Sequence, residues 1–244
     1  MKQGIFTITE NIALTRDMYK LVLAGDTSAN TAPGQFANIR LDGFYLRRPI
    51  SVCDSEEGKL TLLYKVVGHG TEAMSKMQAG EKLDILTGLG NGYNIANAGD
   101  HPLLIGGGAG VPPMYMLARL LIAAGKSVTV IMGFNTAAEV YYKEEFEALG
   151  ARVLITTADG SMGIKGFVTA AMPEVGEVSY IYTCGPEPML KAVYNASEVS
   201  GEYSFEERMG CGFGACMGCS CKTKYGNKRI CREGPVLVKE EIIW

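Results

Sequence analysis

Through residue 98, apolar side chains recur at every second position in short runs: 4–9, 18–23, 35–40, 50–53, 59–67 and 82–87. A period of two places alternate side chains on opposite faces of a strand. Turn-forming residues separate the runs, as in Ala24-Gly25-Asp26 and Glu57-Gly58. The pattern predicts an all-β unit over 1–98, a barrel or a sandwich, with one helix at 70–78. From residue 99 the rhythm changes. Continuous apolar runs at 102–105, 127–132, 151–157 and 179–183 alternate with helix-like stretches at 113–124, 142–149 and 187–200. Strands alternating with helices imply a parallel α/β sheet over 99–200. The remainder, 201–244, is rich in glycine and cysteine and too small for its own apolar core. A metal centre would organise it.

Composition narrows the function. The chain has 244 residues, 47% of them hydrophobic, and a formal net charge of −3. Nothing in that balance attracts nucleic acid. No apolar run approaches the ~20 residues that span a bilayer, and residues 1–4 lead directly into a strand pattern rather than a secretory signal. Seven cysteines are an odd number, and five of them fall within 211–231. That distribution suits metal binding in a reducing compartment better than a disulfide framework, and the expected location is the cytoplasm.

Four of those five read Cys211-x4-Cys216-x2-Cys219 followed by Cys231. The first three match the C-x4-C-x2-C run of plant-type [2Fe–2S] centres, which take four thiolates. Small residues between them, such as Gly212, Gly214, Ala215 and Gly218, let the backbone close around a cluster and aim N–H groups at its sulfurs. Cys221 would share a face with Cys219 in an extended segment, but the other four already complete a ligand set. Zinc also takes four cysteines, though zinc ribbons use two C-x2-C knuckles and only Cys216/Cys219 has that spacing.

Two further segments sit between a strand and a helix. Gly106-Gly107-Gly108-Ala109-Gly110-Val111-Pro112-Pro113 offers a tight turn and close backbone approach to phosphate at a helix start. It matches G-x-G-x-x-G only loosely, and a βα turn without ligand is the plain alternative. Cys184-Gly185-Pro186 ends another strand of the same sheet and is expected to face the same crevice, although a lone cysteine there is commonly a small buried residue. In the β unit, Arg47-Arg48-Pro49-Ile50-Ser51 can hold a diphosphate through charge-assisted hydrogen bonds, or be a surface arginine pair. Leu63-Tyr64-Lys65 precedes Gly68-His69-Gly70-Thr71, where Gly70 and Thr71 open the short helix. His69 has no acidic or cysteine partner nearby in sequence and is read as structural or solvent-facing.

Taken together, Arg48-Pro49-Ile50-Ser51, the glycine cluster, Cys184-Gly185-Pro186 and the cysteine tail with Cys231-Arg232-Glu233-Gly234-Pro235 resemble the electron-transfer subunit of type B dihydroorotate dehydrogenase, within the ferredoxin–NADP reductase superfamily. The resemblance spans the chain. It implies a three-part fold: an antiparallel FAD-binding β-barrel (1–98), a parallel α/β NAD-binding domain (99–200) and a small [2Fe–2S] domain (201–244). It implies FAD contacts at Arg48, Pro49, Ile50, Ser51, Leu63, Tyr64, Lys65, Gly70 and Thr71. It places NAD at Gly106, Gly107, Gly108, Ala109, Gly110, Cys184, Gly185 and Pro186, and the cluster on Cys211, Cys216, Cys219 and Cys231. Many superfamily members carry an aromatic residue where this chain has Ile50, and Tyr64 is the candidate to stack on the flavin instead. The implied partner is an FMN-containing catalytic subunit in a two-plus-two heterotetramer. Dihydroorotate is oxidised there, and electrons pass through [2Fe–2S] and FAD to NAD⁺ in pyrimidine (UMP) biosynthesis. No general acid or base is expected in this chain. NAD is favoured over NADP because Gly133-Phe134-Asn135-Thr136 lacks an arginine for a 2′-phosphate, and Glu139 can accept from a ribose hydroxyl. The nearest rival is another flavin/iron–sulfur reductase subunit, serving ferredoxin, sulfide or hydrogenase chemistry. A rival from another class is a zinc-stapled interaction module without redox activity.

Overall fold

A computed structural model describes residues 1–244. Six antiparallel strands close a barrel: β1 (Lys2–Ala13), β2 (Met18–Ala24), β3 (Phe36–Ile39), β4 (Arg48–Glu56), β5 (Lys59–Lys65) and β6 (Lys82–Leu89), in the order β1-β2-β5-β4-β3-β6. Alternation produces the interior directly: Phe6 and Ile8 of β1, Leu21 and Leu23 of β2, and Leu60 and Leu62 of β5 all join one buried cluster. Helix α1 (His69–Ser75) follows β5. Its Thr71 hydroxyl accepts from the Val67 and Gly68 N–H groups, which fixes the entry turn.

The second layer system is a seven-stranded sheet, ordered β10-β9-β8-β7-β11-β12-β15. Its strands are β7 (Pro102–Gly107), β8 (Thr129–Phe134), β9 (Arg152–Thr157), β10 (Ile164–Lys165), β11 (Tyr180–Cys184), β12 (Gly201–Ser204) and β15 (Val236–Val238). All neighbours pair in parallel except β12 with β15. Helices α2 (Pro112–Ala123), α3 (Lys143–Ala148) and α4 (Glu187–Ala196) connect them. Met114, Leu117, Ala118 and Leu121 of α2 recur at helical spacing and are buried. Each buried leucine there contributes about 1.5–3 kcal/mol.

The boundary expected at residue 200 does not separate two bodies. Strand β12 lies beyond it and pairs with β11, and the tail returns as β15 to extend the same sheet. The tail thus borrows the edge of the sheet instead of standing alone. The hairpin β13 (Ser220–Thr223) and β14 (Gly226–Arg229) forms a separate two-stranded sheet after the cysteine loop. Helix α4 also ends four residues before the expected limit, because Ser197 is extended (φ −146°, ψ 139°). Asn91, between barrel and sheet, clamps the returning tail. Its amide accepts from Val236 N at 3.1 Å and donates to the Val236 carbonyl at 2.7 Å.

The barrel and sheet pack without a loose joint. Cys53 of β4 and Leu63 of β5 share a core with Val111, Met114 and Leu117, while Met116 of α2 enters the barrel cluster. Arg119 of α2 also donates to Asp54 of β4 at 2.6 Å. No helix is long and apolar enough to cross a membrane.

Candidate redox site

In the sheet, the chain leaves β7 for β8 and β9 on one side and later fills β11 and β12 on the other. The switch between β7 and β11 opens a crevice at the carboxyl ends of the strands, where ligands bind in such sheets. A cleft of about 610 Å³ occupies that position. Gly107, Gly108, Ala109 and Gly110 line it after β7, and Gly185 and Pro186 line it after β11. The two motifs touch: a Cβ on Gly110 would lie 2.1 Å from the Cys184 carbonyl oxygen, and one on Gly185 would lie 3.3 Å from Gly107 N. Gly106 lies beneath, paired with Cys184 across the sheet. The Cys184 thiol is buried in the core and pushed up to about 12, chiefly by desolvation; Cys184, expected to face the crevice, does not line the cleft, which begins at Gly185. Tyr141 donates to the Gly108 carbonyl at 2.8 Å and steadies the loop.

Polar groups that motif reasoning did not select also line this cleft: Thr156 and Glu206. The Thr156 hydroxyl is buried without a partner, and burial raises the Glu206 carboxyl. Neither belongs to a recognisable spacing; only the sheet order brings them there. Glu139, singled out beside the second strand, lines the cleft and accepts from the Asn135 amide at 2.9 Å.

On the barrel, the arginine pair divides. Arg47 is structural, with both Nη2 contacts to Asp84 at 3.0 Å. Arg48 has no carboxylate partner. It lies over the Phe44 ring at 4.8 Å, and a Cβ on Gly70 would come 2.1 Å from its Nε. Lys65 reaches the cleft between barrel and sheet. Leu63 faces α2. The Tyr64 ring does not meet the expectation that it stacks on a flavin. It is 1% exposed, inside the barrel, donating to Asn11 Oδ1 at 3.0 Å and stacked on Tyr19. Alternation along β5 sends it inward between the outward Leu63 and Lys65. Ile50 likewise packs against the barrel core. His69 is solvent-facing, with its side chain 96% exposed, but it does have an acidic neighbour, Glu72, with Oε2 3.8 Å from Nδ1.

The tail presents its thiols as two pairs. Cys219 and Cys231 are buried with Sγ atoms 3.2 Å apart. Cys211 has the Cys216 thiol beside it, and Cys216 is exposed. The Phe213, Ala215 and Cys216 N–H groups donate to Cys211 Sγ at 3.5, 3.2 and 3.4 Å. Arg229 donates to the Gly214 carbonyl at 2.6 Å and pairs with Glu233, bracing the loop. No three of these thiols gather around one metal-ion position. The two pairs together supply the four thiolates that a [2Fe–2S] centre takes. Cys221 lies on β13 opposite Lys228, outside both pairs.

Two family models match the chain. The iron-sulfur cluster binding domain of dihydroorotate dehydrogenase B covers 206–243, and the oxidoreductase NAD-binding domain covers 104–195. Among curated relatives, the "Dihydroorotate dehydrogenase B (NAD(+)), electron transfer subunit" of Shouchella clausii is 41% identical over 99% of this chain and 98% of its own. The protein of the same name from Fusobacterium nucleatum is 39% identical over 99% of each chain. Among solved structures, the NADH-dependent reduced ferredoxin-NADP oxidoreductase superposes with a TM-score of 0.89 at 30% identity, covering 99% of this chain and 90% of that one. A ferredoxin NADP⁺ reductase from Neisseria gonorrhoeae shares the fold, with a TM-score of 0.69 at 17% identity over 80% of this chain and 90% of its own.

Proposed function

Because the chain belongs to the family of electron-transfer subunits of NAD-dependent dihydroorotate dehydrogenase B, we propose that its thiol pairs, barrel face and interdomain cleft divide the work of passing electrons from a catalytic partner to NAD⁺. The observation that carries this division is the meeting of all three at the barrel. Strand β3 touches the cysteine loop, β4 and α1 bring Arg48 to Gly70, and Lys65 of β5 enters the cleft beside the glycine loop.

Each site has a defined task. Cys211 with Cys216, and Cys219 with Cys231, hold the [2Fe–2S] cluster, and the N–H donors on Cys211 Sγ favour its negative charge. Arg48, free of any acid, takes the FAD diphosphate. Pro49, Ile50 and Ser51 run along the flavin, and Leu63, Tyr64, Lys65, Gly70 and Thr71 complete its seat, Tyr64 by backbone alone. Gly106, Gly107, Gly108, Ala109 and Gly110 with Cys184, Gly185 and Pro186 admit the dinucleotide closely enough for backbone contact. When bound, the cluster exchanges single electrons and FAD converts between these and a hydride. Hydride transfer itself requires no general acid or base from the chain. The partner subunit carries FMN and oxidises dihydroorotate, in a two-plus-two assembly. It docks where Cys216 is exposed between exposed Phe213 and Met217.

A pair of steady-state assays tests the division. The chain alone should oxidise NADH with ferricyanide, because that route needs only FAD, and should not oxidise dihydroorotate. Adding the partner should create NAD⁺-linked dihydroorotate oxidation, which Cys219→Ala should abolish while sparing much of the ferricyanide activity. Dihydroorotate oxidation by this chain alone, or full linked turnover without the cluster, would overturn the proposal.

A further inference from the structure

Asn38 is an amide buried at the one wall where the barrel meets the cysteine loop. It is 1% exposed on β3. Its strand neighbours Phe36 and Leu86 pack in the same apolar cluster as Cys219, Ile230 and Cys231. Asn38 Nδ2 donates to the Cys211 carbonyl at 3.2 Å. Gly212, at φ +76°, presses against the amide so closely that a Cβ there would lie 2.2 Å from Nδ2. The Oδ1 atom is buried with no protein donor. An unsatisfied buried acceptor costs about 1–3 kcal/mol, while the single hydrogen bond returns about 1 kcal/mol. For stability alone, an apolar residue of similar size would serve at least as well.

Register shows what else the residue faces. Asn38 lies directly opposite Pro49 on β4, and Phe36 lies opposite Ser51. Opposed residues of an antiparallel pair share a face. The wall that holds the cysteine loop is therefore the wall that bears Pro49 and Ser51. We propose that Asn38 is a positioning residue for electron transfer between cluster and flavin, acting through the Cys211 peptide. This rests on the assignment of the cluster to the two thiol pairs and of FAD to the Arg48 strand. By fixing the Cys211 carbonyl, the amide keeps the Phe213, Ala215 and Cys216 N–H groups aimed at Cys211 Sγ, and those bonds set the potential. It also ties the loop to the strand paired with β4, which fixes the separation of the two centres.

The test uses the full chain loaded with cluster and FAD. NADH gives two electrons to FAD as a hydride and leaves as NAD⁺. One electron then reduces the cluster by one, and the other stays on the flavin. Rapid mixing with NADH follows the loss of cluster absorbance in wild type, Asn38→Leu and Asn38→Ala. Both variants remove the donor to Cys211. Both should keep wild-type iron, FAD and NADH–ferricyanide activity, and Asn38→Leu should melt no lower than wild type. Cluster reduction should slow by about tenfold or more, within the roughly 100-fold that a misplacement of about 1 Å can cost. The cluster's midpoint potential should also shift. Wild-type rate and potential in Asn38→Leu would overturn the proposal. Loss of iron from both variants would overturn it too, by showing that the amide holds the loop together rather than places it. Absence of NADH-driven bleaching in the wild type would overturn the cofactor assignment itself, and the proposal with it.

Discussion

The Arg48 guanidinium rests against the bare Cα of Gly70, where any Cβ would come within 2.1 Å of Nε. Strand β4 and the start of α1, which follows the neighbouring β5, thereby converge on a single cation. The contact requires glycine, and it leaves Arg48 without an acidic partner while its neighbour Arg47 is engaged by Asp84. Arg48→Ala should remove hydrogen bonds to the FAD diphosphate worth ~1.5–3 kcal/mol each. FAD affinity should fall at least about tenfold, since 1.4 kcal/mol is a factor of ten. Gly70→Ala should cause a similar loss with the arginine still present, by pushing it aside. The double variant should be little worse than Arg48→Ala, because both changes act on one contact. Titration with FAD checks this; additive losses would show two independent sites.

Much of this arrangement is legible in the sequence, and the exceptions have physical causes. The barrel strands follow from two-residue alternation because one face of each is buried. The β7 and β11 motifs were readable as crevice residues because parallel strands bury both faces and bind ligand at their ends. Strand β12 was hidden because Glu202 and Ser204 are polar yet buried. Strand β15 was hidden because Val236–Val238 is only three residues long. The Tyr64 ring was misplaced because spacing marks a residue's face only once its neighbours' burial is known. Asn38 belongs to no motif at all. Its meaning comes from a contact with Cys211, 173 residues away.

The pairing of thiols makes a sharp prediction about iron. Cys211→Ala, Cys216→Ala, Cys219→Ala and Cys231→Ala should each lose the cluster, because every pair needs both members. Cys221→Ala should retain it, since Cys221 lies on the hairpin outside both pairs. Iron and acid-labile sulfide analysis of the five variants decides the matter. Full iron in Cys231→Ala, or its loss in Cys221→Ala, would refute the ligand set.

Gly110 separates dinucleotide binding from the other two sites. A Cβ there would meet the Cys184 carbonyl oxygen at 2.1 Å and Gly185 N at 2.7 Å, both backbone atoms that cannot swing away. Gly110→Ala should therefore force β7 and β11 apart at the cleft, at a cost of about 1–3 kcal/mol for overpacking. The KM for NADH in the ferricyanide assay should rise about tenfold. FAD and iron contents should stay at wild type, because Arg48 and the thiols lie elsewhere. An unchanged KM would place the dinucleotide outside this cleft.

Glu202 ties the joint between barrel and sheet to pH. Its buried carboxylate accepts from Asn94 N at 2.8 Å and Asn97 Nδ2 at 3.3 Å, and from Tyr180 at 3.4 Å. Burial nevertheless holds its carboxyl above the ordinary value, outweighing those bonds. A raised folded-state pKa means that the folded chain binds this proton more tightly than the unfolded chain does. Below the ordinary carboxyl value both states are protonated, and the group contributes its full share to stability. As pH rises from there through the raised folded value, that share declines, and it is level above. Glu202→Gln cannot titrate. Melting temperature measured across this acid range should therefore fall relative to Glu202→Gln as pH rises, then run parallel to it near neutrality. A constant gap between the two proteins at every pH would show that Glu202 keeps an ordinary carboxyl in the fold, and that the bonds to Asn94 and Asn97 balance its burial.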